Sequence, residues 1–346
     1  MSEDNKNLFS LLWGYSALVA PQKLVFPTHL PFSIVQHFLI HHILLNPHLE
    51  IYSPSERYQY TFWKWVTQCL ETMPQHDDDE IDDRIYERYI SLLGQSRSGP
   101  PPQSYTTYYW KSLDVPHDKY QSITLLESRK TIESGTTGLR TWRASFVLAD
   151  YLIAHPGVIA QKNILELGCG TGFVGIIAAG LTCSDPRPIY MTDVNEDVLA
   201  RCQNNTQLPC NPSSLHPNVR YCTLNWSDAI GPAVSPLRSM LSDVAPEMIL
   251  GADLVFDHAL FPSLVGVLAL ALENGANALI ALTIRNEDTL KEFLRQAQEG
   301  LQFEELLYTP SRTAFVGPSD GDVDGGQEVK IFRFSKKGFR LNQYIL

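Results

Sequence analysis

From Asn163 onward, short apolar runs alternate with longer amphipathic stretches, and this alternation sets the architecture of most of the chain. The runs 163–167, 188–193, 218–224, 247–253, 276–283, 301–308 and 328–335 have the length and composition of strands. Between them, 172–181, 195–207, 259–272 and 286–299 carry apolar positions at helical spacing. Strands alternating with helices predict a parallel sheet covered on both faces. The last two runs are joined by Pro310 to Gly326, a stretch rich in Gly, Asp and Ser, so they read as a hairpin-like pair.

The N-terminal part has a different rhythm. Ile34, Val35, Phe38, Leu39 and His42 are spaced for one helix face after Pro31-Phe32-Ser33. Tyr58, Phe62, Trp65, Val66 and Leu70 form another behind Ser53-Pro54-Ser55. Asp77-Asp78-Asp79-Glu80 precedes a third face made of Ile81, Ile85, Tyr86, Tyr89 and Leu92, where acidic residues complement a helix dipole. The expected organisation is a helical domain over 1–95 and a Pro-rich linker over 96–120. A sheet domain over 121–346 follows, opening with a β-type stretch at Ser122 to Leu126 and a helix from Thr141 to Ala154.

Composition narrows the function. The chain has 346 residues and a net charge of −11, which leaves no basic surplus for holding a nucleic-acid backbone. Six cysteines without a C-x-x-C pair read as reduced thiols, and the acidic start is a poor secretion signal, so a cytoplasmic protein is expected. The most apolar window, 248–272, is broken by Asp253, Asp257 and His258 and reads as core, not as a membrane span. His37, His41, His42 and His48 lack acidic or thiol companions, so no metal site is expected.

Candidate chemistry gathers where predicted strands end. After 163–167 comes Gly168-Cys169-Gly170-Thr171-Gly172, a turn that brings backbone N–H groups to a helix start. Its glycines do not follow the first-third-sixth spacing of a dinucleotide fingerprint, because Phe173 takes the sixth place. With Glu166, the stretch reads E-L-G-x-G-x-G and resembles motif I of class I S-adenosylmethionine-dependent methyltransferases. Asp193 ends the second strand and suits either a ribose diol or the cap of the next helix. Trp226, after the third strand, suits an adenine face or the core. Asp253 and Phe256, three apart after the fourth, fall at the crevice where open sheets bind ligands; in so apolar a strand Asp253 is otherwise an expensive buried charge.

These motifs together resemble the seven-strand lysine methyltransferases, whose D-x-x-Y mark is here Asp253-Leu254-Val255-Phe256. The elongation factor 2 lysine methyltransferases are the nearer likeness. Their G-T-T-G-L-x-T-W turn is matched by Gly135 to Trp142, and their T-x-R-N by Thr283-Ile284-Arg285-Asn286. The resemblance implies a Rossmann-like seven-stranded α/β sheet with its last strand inserted antiparallel, behind an N-terminal α-helical domain. It implies S-adenosylmethionine held by Trp142, Glu166, Gly168, Cys169, Gly170, Gly172, Asp193, Trp226 and Ala252. Asp253 and Phe256 would line the lysine channel, and the partner would be a protein, elongation factor 2, approached by a monomer. A methyltransferase of another cytosolic protein, or a non-catalytic interaction protein, are the alternatives. Phe256 stands where the family has Tyr, so a hydroxyl is missing from that channel.

Overall fold

The helical periodicity of the N-terminal part becomes α1 (Glu3–Ser16), α2 (Phe32–Phe38), α3 (Pro47–Ile51), α4 (Glu56–Thr72) and α5 (Asp83–Ser91). The structure, a computed structural model, describes residues 3–73, 80–94, 103–110, 120–133, 135–309, 315–316 and 327–338. Helix α4 starts where Ser55 accepts the Tyr58 N–H, and its Phe62, Trp63, Val66 and Leu70 are fully buried. They share a core with Leu11, Leu39 and Ile85, so this unit has an apolar interior of its own. Asp77 to Asp79 lie outside the described residues.

The linker expected over 96–120 is corrected by the structure. Strand β1 (Gln103–Trp110) pairs antiparallel with β2 (Gln121–Ser128) along its full length, and Phe315–Val316 adds to its other edge. Thr and aromatic residues dominate Tyr105 to Trp110, a composition that fits a pleated, half-buried surface. The three prolines just before it masked that signal. The first compact unit therefore runs to Glu133 and takes in Phe315–Val316, so its boundary is not at residue 95. The remainder of the expected linker, and most of Pro310 to Gly326, lie outside the described residues.

The second unit begins with α6 (Arg143–Ala154). It continues through β3 (Ile164–Leu167), α7 (Phe173–Leu181), β4 (Ile189–Asp193), α8 (Glu196–Thr206), β5 (Val219–Thr223) and α9 (Val234–Val244). Then come β6 (Met248–Ala252), α10 (Phe261–Ala271), β7 (Asn277–Thr283), α11 (Glu287–Ala297) and β8 (Leu301–Leu306). After β9, the Phe315–Val316 strand of the first unit, the chain ends its described part with β10 (Val329–Lys336). The order across the sheet is β5-β4-β3-β6-β7-β10-β8, with β10 antiparallel to both neighbours. Each of the seven strands and four helices read from the pattern is present within two residues at both ends. Helix α9 was missed. Its Leu237, Leu241 and Val244 are buried at helical spacing, but Gly231-Pro232 and Pro236 read as loop punctuation, although proline is tolerated in a first turn.

Strand order positions the site. From β3 the chain builds outward through β4 and β5, then returns to the other side of β3 with β6. The crevice of an open α/β sheet lies at such a reversal, beyond the C-terminal strand ends. The registers Leu167↔Thr192 and Leu167↔Gly251 put Gly168 level with Asp193 on one side and with Ala252 on the other.

Candidate functional site

Backbone conformation explains the glycine loop. Gly168, Gly170 and Gly172 have φ of +62°, +54° and +92°, in the left-handed region that disfavours side chains. A Cβ at Gly168 would also sit 2.8 Å from Leu254 and 3.5 Å from Trp226. The loop is tied down by the Cys169 N–H to Thr192 O at 2.8 Å and the Gly172 N–H to Cys169 O at 2.9 Å. Two further supports come from side chains. The Thr141 and Thr171 hydroxyls bond at 2.8 Å, and Asn205 Nδ2 donates to Thr171 O at 3.0 Å. Asn205 is a buried asparagine inside a helix, which is the signal that marks it.

Asp193 closes β4 with its carboxylate at the loop. Oδ1 accepts the Asn195 N–H at 3.0 Å and Oδ2 the Gly170 N–H at 3.4 Å. Asn195, not Asp193, caps α8 by accepting from Asp197 and Val198 N–H. Burial raises the Asp193 pKa against the opposing pull of the Asn195, Gly170 and Val194 amides. Trp226 opens the turn after β5 and packs on the core from a partly buried position.

Glu166 sits deeper than Gly168 and Gly170 of the same stretch. Its carboxyl is buried under α7, where a Cβ on Gly175 would come within 2.5 Å of Oε2, and it does not open to the crevice. Oε2 has no hydrogen-bond partner, and burial pushes the pKa up to about 8, offset only in part by the Gly175 N–H. Glu166 therefore packs beneath the loop, against α7.

On the other side of β3, β6 ends at Ala252 and the chain turns at Asp253, whose φ is +59°. Aspartate is among the side chains that tolerate this region. The Asp253 N–H continues the ladder to Ala281 O at 2.8 Å. The turn sends Leu254 and Val255 into the core and leaves Phe256 57% exposed. Arg285 Nη1 and Nη2 donate to Asp253 Oδ1 and Oδ2 at 3.0 and 2.6 Å. The Arg285 guanidinium also lies 5.6 Å from the centroid of the Trp142 ring. Trp142 precedes α6 and donates its indole N–H to Thr137 O at 3.1 Å. Arg285 stood in the sequence only as part of a motif; nothing in its surroundings marked it as the partner of Asp253.

Comparison with known proteins agrees with this arrangement. The lysine methyltransferase family matches residues 120–300, more than half of the chain. Protein-lysine N-methyltransferase EFM3 of Chaetomium thermophilum is 29% identical over 289 residues, spanning 81% of this chain and 84% of that one. Protein-lysine N-methyltransferase EEF2KMT of Bos taurus is 28% identical over 276 residues, covering 73% and 74% of the two chains. EFM3 of Saccharomyces cerevisiae is 27% identical over 256 residues, covering 68% and 69%. With a seven-stranded sheet, a glycine loop at its switch point and this match, the chain belongs to the lysine methyltransferase family, enzymes that use S-adenosylmethionine to methylate a lysine amine.

Proposed function

We propose that the chain methylates a lysine of elongation factor 2, acting as a monomer in the cytosol. One observation carries this reading. The two stretches that resemble the elongation factor 2 enzymes, 135–142 and 283–286, converge on one site, since Trp142 lies beneath Arg285 and Arg285 holds Asp253. Among the described residues no helix is long and apolar enough to cross a membrane.

The crevice fits S-adenosylmethionine, because a positive-φ glycine loop with no room for a side chain faces a carboxylate at the next strand end. We assign the ribose hydroxyls to Asp193, the adenine face to Trp226, and the remaining contacts to Trp142, Gly168, Cys169, Gly170, Gly172 and Ala252. When bound, the cofactor supplies a methyl group activated by a positively charged sulfur. The protein's task is to position a lysine in line with it and to favour the neutral amine, whose free pKa is ~10.4. A carboxylate oxygen of Asp253 accepts one amine N–H, and the displaced proton leaves to water. Phe256 offers an exposed aromatic rim for the incoming side chain.

Two measurements test this reading. Asp253→Asn should leave S-adenosylmethionine affinity nearly unchanged while turnover falls at least ~tenfold, about 1.4 kcal/mol of barrier. Equal turnover would reduce Asp253 to a structural role. Incubation with labelled cofactor and a lysate from cells lacking this activity should label elongation factor 2. A different band would point to another cytosolic protein, and cofactor binding without any band would leave an interaction protein.

We further assign contact with the body of the substrate to the N-terminal unit, since one lysine side chain carries little identity and remote contacts must supply the rest. Hydrogen exchange in α1, α4 and α5 should slow on mixing with the factor. Unchanged exchange there would remove that assignment.

A further inference from the structure

The Asp253–Arg285 pair changes what Asp253 can do. Both carboxylate oxygens are engaged by one guanidinium fork, and the side chains are 9% and 35% exposed, so the pair is sheltered on the Asp253 side and open on the Arg285 side. A fork of this kind uses one lone pair on each oxygen and leaves the others free to accept. Its positive charge cancels most of the field that the carboxylate would otherwise present. The Trp142 ring, itself anchored to Thr137 O, lies 5.6 Å from the guanidinium and adds a second contact to it.

We propose that Arg285 is a positioning residue that turns Asp253 into a charge-neutralised acceptor, able to orient a neutral lysine amine without holding the ammonium form. This rests on the reading of Asp253 as the residue that meets the substrate amine. An uncompensated Asp253 would stabilise the ammonium and so keep the proton on the nucleophile. With Arg285 in place, the same oxygen lone pair is available but its preference for a cation is largely gone. Charged groups on the surrounding elements, among the described residues, include Arg140 near Trp142, Asp193 across β3, exposed Asp257 and His258 after β6, exposed Glu287 and Asp288 at the start of α11, and exposed Glu328 paired across from Ile284. All of them are retained in the variants below, so their background cancels.

The experiment compares wild type, Arg285→Gln and Arg285→Lys in kcat measured against pH, on the protein that the wild-type enzyme labels. The acid limb of kcat reports the bound amine. In Arg285→Gln it should move up by about one pH unit, so that activity lost near neutrality returns as pH rises, whereas Arg285→Lys should stay near wild type. A second readout needs no turnover: Trp fluorescence titrated with tetramethylammonium, a permanent cation, should show several-fold tighter binding to Arg285→Gln than to the other two. A loss of kcat that is equal at every pH, or no change in kcat, overturns the proposal. Asp253→Asn is run beside them: if it keeps full turnover, the reading of Asp253 itself has failed, whereas an impaired Asp253→Asn with an unshifted Arg285→Gln profile rejects only the role of Arg285.

Discussion

Replacing Glu166 by Gln should abolish a loss of stability that the wild-type protein undergoes between about pH 5 and pH 8. The Glu166 pKa is raised from 4.5 to about 8 in the fold, chiefly because burial penalises the charged form. The sign follows from proton binding. Within that window the folded carboxyl keeps its proton and the unfolded one has lost it, so the folded state binds more protons and stability falls as pH rises. The slope for one such group is about 1.4 kcal/mol per pH unit, which accumulates to several kcal/mol across the window. The stabilisation is complete below the unfolded pKa and gone once pH passes the folded one. Gln cannot ionise, so a Glu166→Gln variant should show a flatter dependence there and gain on wild type most above pH 8. Any constant cost of the amide against Gly175 would offset the whole curve without changing its slope. Thermal unfolding of both proteins at several pH values is the measurement, and parallel curves through the window would refute the buried, protonated glutamate.

The sheet was legible because its physics is local and repetitive. Ile164 to Leu167 and Met248 to Gly251 are buried on both faces, so they appear as apolar runs, broken only by Glu166, and glycine or aspartate marks where each strand ends. Open sheets bind ligands beyond these same ends, so Gly168, Asp193 and Asp253 stand out as candidates from the pattern alone. What escaped was set by contacts distant in sequence. Arg285 is 32 residues from Asp253, and the pair exists only because β6 and β7 are adjacent and in register at Ala252 and Ala281. Glu166 is marked in the sequence only by preceding the glycines; its burial under α7 depends on Gly175 lying over it. Strand β1 was hidden for a different reason. A tyrosine- and threonine-rich stretch between prolines and polar residues gives no clear alternation, and its partner β2 supplies the pairing that decides the matter.

Asp193→Ala should weaken S-adenosylmethionine binding by roughly 1.5–3 kcal/mol, the scale of charge-assisted hydrogen bonds lost from a sheltered site. The carboxylate is suited to a diol because each oxygen spends one acceptor position on a backbone N–H, Asn195 for Oδ1 and Gly170 for Oδ2, and keeps another. Removing it would delete the proposed contact with the ribose and also the tie to Gly170, so affinity alone does not separate the two effects. S-adenosylhomocysteine, which keeps the ribose and lacks the sulfonium charge, separates both of them from a third role, that of a counter-charge to the sulfur. If Asp193 acts on the ribose, the variant should lose affinity for both ligands by a similar factor. If it acted as a counter-charge to the sulfonium, the loss would be confined to S-adenosylmethionine. The raised pKa adds a direction: binding to wild type should weaken on acidification sooner than for an ordinary aspartate, and that dependence should vanish in the variant. Calorimetry on both ligands decides it, and unchanged affinity for both in a folded Asp193→Ala protein would remove Asp193 from the cofactor site.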